Sequence, residues 1–270
     1  MNTKRILTLA LMALLLCLPV WAMAGTLTVK DGDVLDTKTL LDAMDDGSVV
    51  LKVDGINPTI VFDGVNISDG QISISRASEN VESVKIELIG DNSISTDDKK
   101  GIALRGYIPL TIAGEGSLTC TSDYYAIFCW YSLTMQSGKL TAKGVECGIY
   151  EKSGNFSFLG DELTVEGGDD YGGIACEGPE NTIMNSFTLP EYSSAPAGYT
   201  FKAWSVNGKE MQPGDIVDTA GGDSVSVKPV FEKIPELPTT GDNSNMILWS
   251  ALACISVIGM TMLVRKRKEA

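Results

Sequence analysis

The chain of 270 residues contains no histidine. Histidine is the usual base of serine and cysteine hydrolases and a common zinc ligand, so its absence excludes both hydrolase classes and His-ligated zinc sites. Positive charge is also scarce, because 21 Lys and Arg residues stand against 35 Asp and Glu, a net charge of −14. Since binding to a phosphate backbone needs clustered cations, we expect no nucleic-acid partner. Chemistry by Asp, Glu, Lys or Tyr stays open.

The N-terminal residues 1–24 have the three parts of a secretory signal peptide. A short basic segment precedes an apolar run, and the small residues Ala22 and Ala24 occupy positions −3 and −1 before Gly25. The alternative is an N-terminal membrane anchor, but the run is short and contains Pro19. We therefore predict cleavage between Ala24 and Gly25, and export of the remainder.

The C-terminus carries three elements in a fixed order. The pentapeptide Leu237-Pro238-Thr239-Thr240-Gly241 is followed by an apolar stretch at 246–264 and a basic tail at 265–270. At 1.5 Å per residue, a helix over that stretch spans about 28 Å, enough for the hydrocarbon core of a bilayer. Cations after it hold the tail in the cytoplasm. The alternative to a sorting signal is an ordinary membrane anchor.

This arrangement resembles the L-P-x-T-G sorting signal of Gram-positive cell-wall proteins. The resemblance implies that a sortase cleaves between Thr240 and Gly241 and links the Thr240 carbonyl to a peptidoglycan amine. The membrane helix would then serve only the sorting precursor, and the mature protein would comprise residues 25–240. Without the cations and acids of the two termini, that segment holds 15 Lys and Arg against 33 Asp and Glu, a net charge of −18.

The middle of the chain repeats with a period of about 23 residues, and each period holds three short alternating apolar segments. Turn residues separate them, which is typical of the triangular coil of a parallel β-helix. The three series begin at Ile86, Leu110, Leu133 and Phe156; at Ile94, Leu118, Leu140 and Leu163; and at Ile102, Ile127, Ile149 and Ile174. A β-sandwich is the alternative, but it has no reason to keep three series in phase.

We therefore predict an all-β fold, with a short right-handed parallel β-helix over 59–190. A strand and an amphipathic helix at Thr37–Asp46 would cap it within residues 25–58. The segments Ile60–Ser68, Val84–Asn92 and Leu110–Leu118 resemble bacterial surface proteins described as carbohydrate-binding-domain-containing, with the pattern LTI-x-G-x-G-x-L. That resemblance implies a short β-helix and a glycan ligand, but identifies no binding residue.

The composition changes after the repeats. We predict a linker at 191–197 and a small β-grasp-like module at 198–233, which resembles the internalin B-repeat pattern GYTFxGW…NG with Ala203 in place of a glycine. Asn207-Gly208 between alternating segments predicts a β-hairpin. We expect the aromatic residues of the module to form its core: Tyr199, Phe201 and Trp204.

Four cysteines remain in residues 25–240, and the coil register places all four at inward positions. Cys129 and Cys176 would lie two coils apart, about 9.6 Å at the usual strand spacing, which is beyond disulfide reach. We predict four free, buried thiols that pack as small apolar groups: Cys120, Cys129, Cys147 and Cys176.

Acidic residues recur at the turns along one edge of the coils: Asp97, Asp98, Asp123, Glu146, Asp169 and Asp170. Such an edge can hold Ca²⁺ or a carboxylate pair that cleaves polysaccharides, but Asp is also common in solvated turns. We expect no cofactor and no catalytic residue. A polysaccharide-cleaving enzyme using Asp and Glu and a purely structural wall protein stay as alternatives.

The register also predicts where a ligand would bind. If the series at Ile102 points inward, two outward ladders follow: Ala103, Phe128, Tyr150 and Ala175, and then Arg105, Trp130, Lys152 and Glu177. Outward aromatic residues beside cations are typical of a recognition surface. We predict a glycan- or surface-binding face made of Arg105, Phe128, Trp130, Tyr150 and Lys152, with Tyr107, Tyr124 and Tyr131 at its margins. The alternatives are a ladder that only stabilises the sheet, and a patch covered by residues 181–190.

Overall fold

A computed structural model describes residues 25–99, 101–152, 156–177, 183–193 and 195–235. The described part of the chain consists of β-strands and one short helix, α1, at Thr37–Ala43. The strands β1 to β24 are, in chain order, Gly25–Lys30, Val34–Leu35, Ser48–Asp54, Thr59–Asp63, Asn66–Ile67, Gln71–Arg76, Val84–Ile89, Asp91–Thr96, Ile102–Gly106, Leu110–Gly114, Ser117–Ser122, Tyr125–Cys129, Leu133–Met135, Lys139–Gly144, Cys147–Glu151, Phe156–Phe158, Glu162–Glu166, Ile174–Glu177, Ile183–Met184, Ser186–Thr188, Tyr199–Val206, Lys209–Met211, Ile216–Asp218 and Val225–Lys233.

The strands form a β-solenoid of about six turns. Sheet A has the order β1-β3-β6-β9-β12-β15-β18-β19, sheet B the order β16-β13-β10-β7-β4-β2, and sheet C the order β5-β8-β11-β14-β17-β24-β21-β22. The chain passes from sheet A to B to C in each turn and pairs in parallel with the strand one turn later. The predicted parallel β-helix is therefore confirmed, and the β-sandwich is excluded.

The core fills the space between the three sheets. Apolar residues at alternate strand positions stack in columns, such as Ile60, Ile86, Ile112, Met135 and Phe158 in sheet B. All five are buried. Each such side chain contributes about 1.5–3 kcal/mol of transfer free energy when fully buried, and it gains this only when a neighbouring turn covers it.

Helix α1 takes the place of the sheet C strand in the first turn. The Asp36 side chain accepts a hydrogen bond from the Thr39 amide, 2.7 Å away, and so caps the helix N-terminus. The Thr37 hydroxyl accepts a hydrogen bond from the Asn66 amide and donates one to the Gly64 carbonyl, which covers the edge of β5. The helix ends at Ala43, three residues before the predicted end.

One register prediction is wrong by two residues. Leu110 pairs with Val84 rather than with Ile86, and the same displacement recurs in sheet C. In sheet A the displacement runs the other way, because Ile127 pairs with Leu104 rather than with Ile102. The turn at 97–101 between β8 and β9 is longer than the two-residue turn between β11 and β12, and it lengthens this coil. Because apolar residues alternate along β7, a slip of two keeps the same face inward, so the pattern alone does not fix the register.

A second prediction is wrong at the start of three sheet A strands. Ala103 was expected to point outward, but it is buried in the core together with its neighbour Leu104. Two consecutive inward residues reverse the alternation, so Ile102, Tyr125 and Cys147 belong to a separate outer cluster. Small residues occur where the alternation breaks: Ala103, Ala126 and Gly148. A Cβ on Gly148 would lie 2.6 Å from the Gly173 carbonyl oxygen, which leaves no room for a larger residue.

The last turn of the solenoid is covered by antiparallel strands. Strand β24 pairs with β17, and β20 pairs with β23. The Trp204 ring is fully buried 5.3 Å from the Phe158 ring, and its Nε1 donates a hydrogen bond to the Pro190 carbonyl at 2.8 Å. Described residues from 25 to 195 and from 201 to 231 form one compact unit. Tyr192, within the segment predicted as a linker, donates a hydrogen bond to Asp161 at 2.7 Å.

The predicted hairpin is present between β21 and β22. Asn207 and Gly208 both have positive φ angles, 48° and 83°, as a two-residue type I′ turn requires. Of the expected aromatic core, Trp204 is buried and Phe201 half-buried, but Tyr199 at the start of β21 is 45% exposed. A second unit includes residues 196–200 and 232–235, in which the Ile234 amide donates a hydrogen bond to the Gly198 carbonyl.

Candidate functional site

An open pocket of 350 Å³ lies on the outer face of sheet A; we call it the aromatic pocket. All five residues predicted to bind a ligand line it: Arg105, Phe128, Trp130, Tyr150 and Lys152. The remaining lining comes from Ile102, Tyr107, Tyr124, Tyr125 and Glu177. Strands β9, β12, β15 and β18, from four successive turns, and the residues next to them bring these side chains together.

The register arranges the lining in two columns. Arg105, Phe128, Tyr150 and Ala175 are direct partners in the first column. The register continues one residue beyond the paired strands, which gives the second column: Tyr107, Trp130, Lys152 and Glu177. The predicted second ladder had Arg105 in the place of Tyr107, because Ile127 was expected to pair with Ile102 and pairs with Leu104 instead.

The buried rings of the pocket pack on each other. The Tyr150 ring lies nearly parallel to that of Tyr125, at 4.7 Å and 12°, and to that of Phe128, at 5.6 Å and 3°. The Tyr125 and Phe128 rings are 6.0 Å apart, so the three rings form one mutually packed group. Tyr171 contacts Tyr125 and Tyr150 edge-on. These contacts stabilise the outer side of sheet A. The rings therefore form the wall and floor of the pocket.

Trp130 is arranged differently. Its ring meets Phe128 edge-on, at 5.7 Å and 75°, and its side chain is 42% exposed. Trp130 follows β12 at the corner of the coil, where the chain leaves sheet A. Part of its surface therefore remains accessible at the rim of the aromatic pocket.

The polar end of the pocket is a hydrogen-bonded cluster. Glu177 accepts hydrogen bonds from the Lys152 ammonium, 2.7 Å away, and from the Tyr150 hydroxyl. Burial favours the neutral form of Glu177, but these two donors outweigh it and lower the pKa of the carboxyl. Burial, and then the contact with Glu177, raises the pKa of Tyr150, so its hydroxyl keeps its proton at neutral pH.

The described part of the segment 181–190 does not line the pocket. Phe187 in β20 packs against Phe156 and Phe158, and Leu189 is buried in the main core. Residues 183–190 therefore close the end of the solenoid. Residues 181 and 182 lie outside the described residues.

The predicted acidic edge is formed at the turns from sheet C to sheet A, where Asp97, Asp123, Glu146 and Asp169 each follow a sheet C strand. Sequence reasoning missed Asp69, one turn earlier. A hydrogen bond with Asp97, and the charge of that carboxylate, raise the pKa of Asp69. In the part of the chain that the structure describes, no group of three or more Cys, Asp or Glu side chains is placed to hold a metal ion.

A second open depression, of 580 Å³, lies where sheet B strands turn into sheet C. Glycines line its floor, together with the acids Glu87, Asp91 and Glu115. Lys85 pairs with Glu87 at 2.6 Å, and the Ser117 hydroxyl donates to Asp91 at 2.7 Å. These are the contacts of solvated surface turns.

The four thiols are free and buried, as predicted. Cys120, Cys129 and Cys176 lie in the main core, as the register predicted. The inward position predicted for Cys147 is wrong, because the reversed alternation at the start of β15 places it in the outer cluster. Burial raises the pKa of Cys176 to about 11 and that of Cys147 to about 12. All four positions therefore hold protonated, unreactive thiols at neutral pH.

One buried carboxyl was also missed. Glu151 is the inward register partner of Cys129 and Cys176, and it is fully buried. Its Oε1 accepts a hydrogen bond from the Leu133 amide at 2.8 Å. Burial raises the pKa of Glu151 to about 8. Its position two residues after the inward Ile149 was a signal available in the sequence.

Comparison with known proteins identifies the C-terminus. A family model described as the LPXTG cell wall anchor motif matches residues 232–270. No curated protein and no solved structure matches the chain. The chain is thus a cell-wall-anchored extracellular protein with a β-solenoid, and the motif implies sortase processing and covalent attachment to peptidoglycan.

Several predicted features fall on residues outside those described. They are the signal residues Ala22 and Ala24, the motif at 237–241, the apolar stretch at 246–264 and the basic tail. Gly25, the predicted first residue after signal cleavage, begins β1. Within the described ranges, no helix is long and apolar enough to cross a bilayer.

Proposed function

We propose that this wall-anchored surface protein binds a glycan in the aromatic pocket and does not cleave it. Binding sites of this kind combine apolar ring surface with a few fixed polar groups. The aromatic pocket offers both, because Trp130 supplies exposed ring surface and the cluster around Glu177 supplies charged groups held in place. The wall anchor presents the solenoid outside the cell, where glycans are abundant.

The exposure of Trp130 is the observation that carries the proposal. A tryptophan whose only role was to stabilise the outer face of sheet A would bury its ring in the stack, as Tyr125 and Tyr150 do. Trp130 instead lies at the rim beside Phe128 and Arg105. Exposed aromatic surface next to polar groups is typical of recognition sites.

The experiment compares two aromatic residues that are neighbours in sequence. Trp130 and Tyr131 are 42% and 43% exposed, but only Trp130 lines the aromatic pocket. Full-length chains carrying Trp130→Ala or Tyr131→Ala are displayed on a Gram-positive host with a sortase and probed with a labelled glycan array. Surface amounts are equalised with an antibody, and cells without the chain give the background.

We expect Trp130→Ala to reduce binding of the glycan hits at least tenfold and Tyr131→Ala to leave it within twofold. Equal binding by the two variants would remove the pocket as the binding site. A wild-type chain that binds no glycan above background would contradict glycan binding and favour a structural wall protein. Release of reducing ends or unsaturated products from a polysaccharide panel would favour the enzyme that uses Asp and Glu.

A further inference from the structure

The charged side chains of the aromatic pocket differ in how far they are neutralised. Lys152 and Glu177 neutralise each other, because the ammonium lies 2.7 Å from Oε1 and 2.6 Å from Oε2. Glu177 also accepts the hydrogen bond from Tyr150. This pair therefore offers a ligand polar contacts but no net charge.

Arg105 is different. No carboxylate of the described residues lies within 4.0 Å of its guanidinium. Its Nη1 donates a hydrogen bond to the Tyr107 hydroxyl at 3.1 Å, and its Cζ lies 5.9 Å from the Tyr107 ring centre and 6.0 Å from that of Phe128. These contacts hold the guanidinium against the pocket wall, but they leave its charge without a counter-ion.

A ligand that enters the pocket removes water from Arg105. A cation that loses water without gaining an anion is destabilised, and neutral hydroxyl groups compensate for this only in part. A carboxylate is planar and accepts two parallel hydrogen bonds from the guanidinium fork. A ligand carboxylate therefore completes the site in a way that a neutral sugar does not.

The charge of residues 25–240 limits where an acidic polymer can bind. Residues 25–240 carry a net charge of −18, so an acidic polymer is repelled by most of the surface. At physiological ionic strength this repulsion is screened beyond about 8 Å, whereas a contact pair with Arg105 is not. An acidic ligand can thus form a favourable charge–charge contact at the aromatic pocket, but not along the acidic turns.

We propose, on the basis of the glycan-binding function above, that the ligand of the aromatic pocket is an acidic glycan whose carboxylate pairs with Arg105. Trp130 contacts a sugar ring, and Arg105 selects the residue that bears the carboxylate. Lys152, held by Glu177, serves as a neighbouring polar contact.

The test uses three acidic polysaccharides, each paired with its carboxyl-reduced form: polygalacturonate, alginate and hyaluronan. The reduced polymers keep the backbone and lose the charge. They are labelled and titrated onto cells that display the full-length chain. The variants are Arg105→Gln, which removes the charge, and Arg105→Lys, which keeps the charge but loses the fork. Arg76→Gln is the matched control, since Arg76 also lies in sheet A but is already paired with Glu79 at 3.4 Å.

We expect the wild-type chain to bind at least one acidic polymer ten times more tightly than its reduced form. Arg105→Gln should bring both forms to the same affinity, Arg105→Lys should retain an intermediate preference, and Arg76→Gln should match wild type. Equal binding of acidic and reduced forms by the wild type would overturn the inference while leaving the glycan-binding function intact. If Arg105→Gln weakened the binding of the acidic and reduced polymers equally, the inference would be overturned too, because Arg105 would then only support the ring stack. If none of the six polymers binds, the acidic ligand is excluded, and the array described above decides the glycan-binding function separately.

Discussion

Glu151 and Cys176 lie side by side in the solenoid core, with the Cys176 thiol 3.9 Å from the Oε2 atom of Glu151. The carboxyl has one strong donor, the Leu133 amide, and no Lys or Arg of the described residues lies within 4.0 Å of it. A charge at this position would be desolvated without an ion-pair partner. The chain therefore folds around a neutral carboxylic acid, and its stability should depend on pH.

We expect this stability to fall as the pH rises from about 4.5 to about 8. Burial raises the pKa of Glu151 from 4.5 to about 8 in the folded state. Within that window the unfolded chain releases the proton while the folded chain keeps it, so rising pH favours unfolding. Below it both states are protonated, and above it the penalty is constant, at roughly 5 kcal/mol if each pKa unit contributes 1.36 kcal/mol.

Urea unfolding of residues 25–240, followed by circular dichroism from pH 5.5 to 8.5, measures this effect. Glu151→Gln keeps an acceptor for the Leu133 amide and cannot ionise, so its unfolding free energy should lose most of the slope. The turn variant Glu146→Gln is the matched control and should keep the wild-type slope. Parallel profiles for wild type and Glu151→Gln would show that Glu151 is not the titrating group.

Trp204→Ala should destabilise the protein by about 3–5 kcal/mol, the usual cost of removing a large buried ring. The ring packs on Phe158 and its Nε1 holds the Pro190 carbonyl, so the substitution opens the C-terminal end of the solenoid. Trp204→Phe should cost less, because it keeps ring contacts and loses the hydrogen bond. Urea unfolding measures both, and the exposed Tyr199→Ala should change stability by less than about 0.5 kcal/mol. A Trp204→Ala variant as stable as Tyr199→Ala would contradict this role.

The thiols of residues 25–240 should be inert in the folded protein and reactive after unfolding. Each thiol is buried, and none forms a disulfide. We expect no reaction with a thiol reagent in buffer, four equivalents in concentrated urea, and an unchanged melting temperature with reductant. An exposed cysteine introduced by Thr121→Cys should react at once, which shows that the reagent is active. A shift of the melting temperature with reductant would indicate a disulfide.

The anchor motif predicts how the protein is held in the wall. Protein released by muramidase should carry a wall peptide on Thr240, as mass spectrometry of the C-terminal peptide will show. Pro238→Ala or Leu237→Ala should leave secretion intact and abolish wall linkage, whereas Pro235→Ala, just upstream of the motif, should not. Recovery of the chain through Ala270 from wild-type membranes would contradict cleavage at the motif.

The sequence pattern predicts much of the solenoid because the repeats of its middle are nearly regular. Leu110, Leu133 and Phe156 are register partners as expected, and each begins a strand with few apolar positions to choose from. The pattern does not fix the pairing of β7 with β10, because Val84, Ile86 and Leu88 are all apolar and all buried. A slip of two residues keeps the same side chains pointing inward, so the length of the turn at 97–101 decides the pairing.

The alternation of inward and outward residues also predicts part of the candidate site. The alternation after Ile127 and Ile149 correctly places Phe128 and Tyr150 outside. It does not foresee that Ala103 turns inward, since a local reversal of the alternation leaves no periodic signal. The alternation shows on which side of a strand a residue lies, but not how its ring is oriented. The parallel packing of the Phe128 and Tyr150 rings therefore could not be predicted.

The parallel pairing of each solenoid turn with its neighbouring turn has a consequence for biogenesis. Each turn contacts only its neighbouring turns, so folding can propagate from one turn to the next. A chain that emerges N-terminus first presents β1, β2 and α1 before any other element, so the covered end is available as a template for the turns that follow. Strand β24 arrives last, just ahead of the anchor motif. Folding can thus advance in the direction of export and finish as the chain reaches the wall.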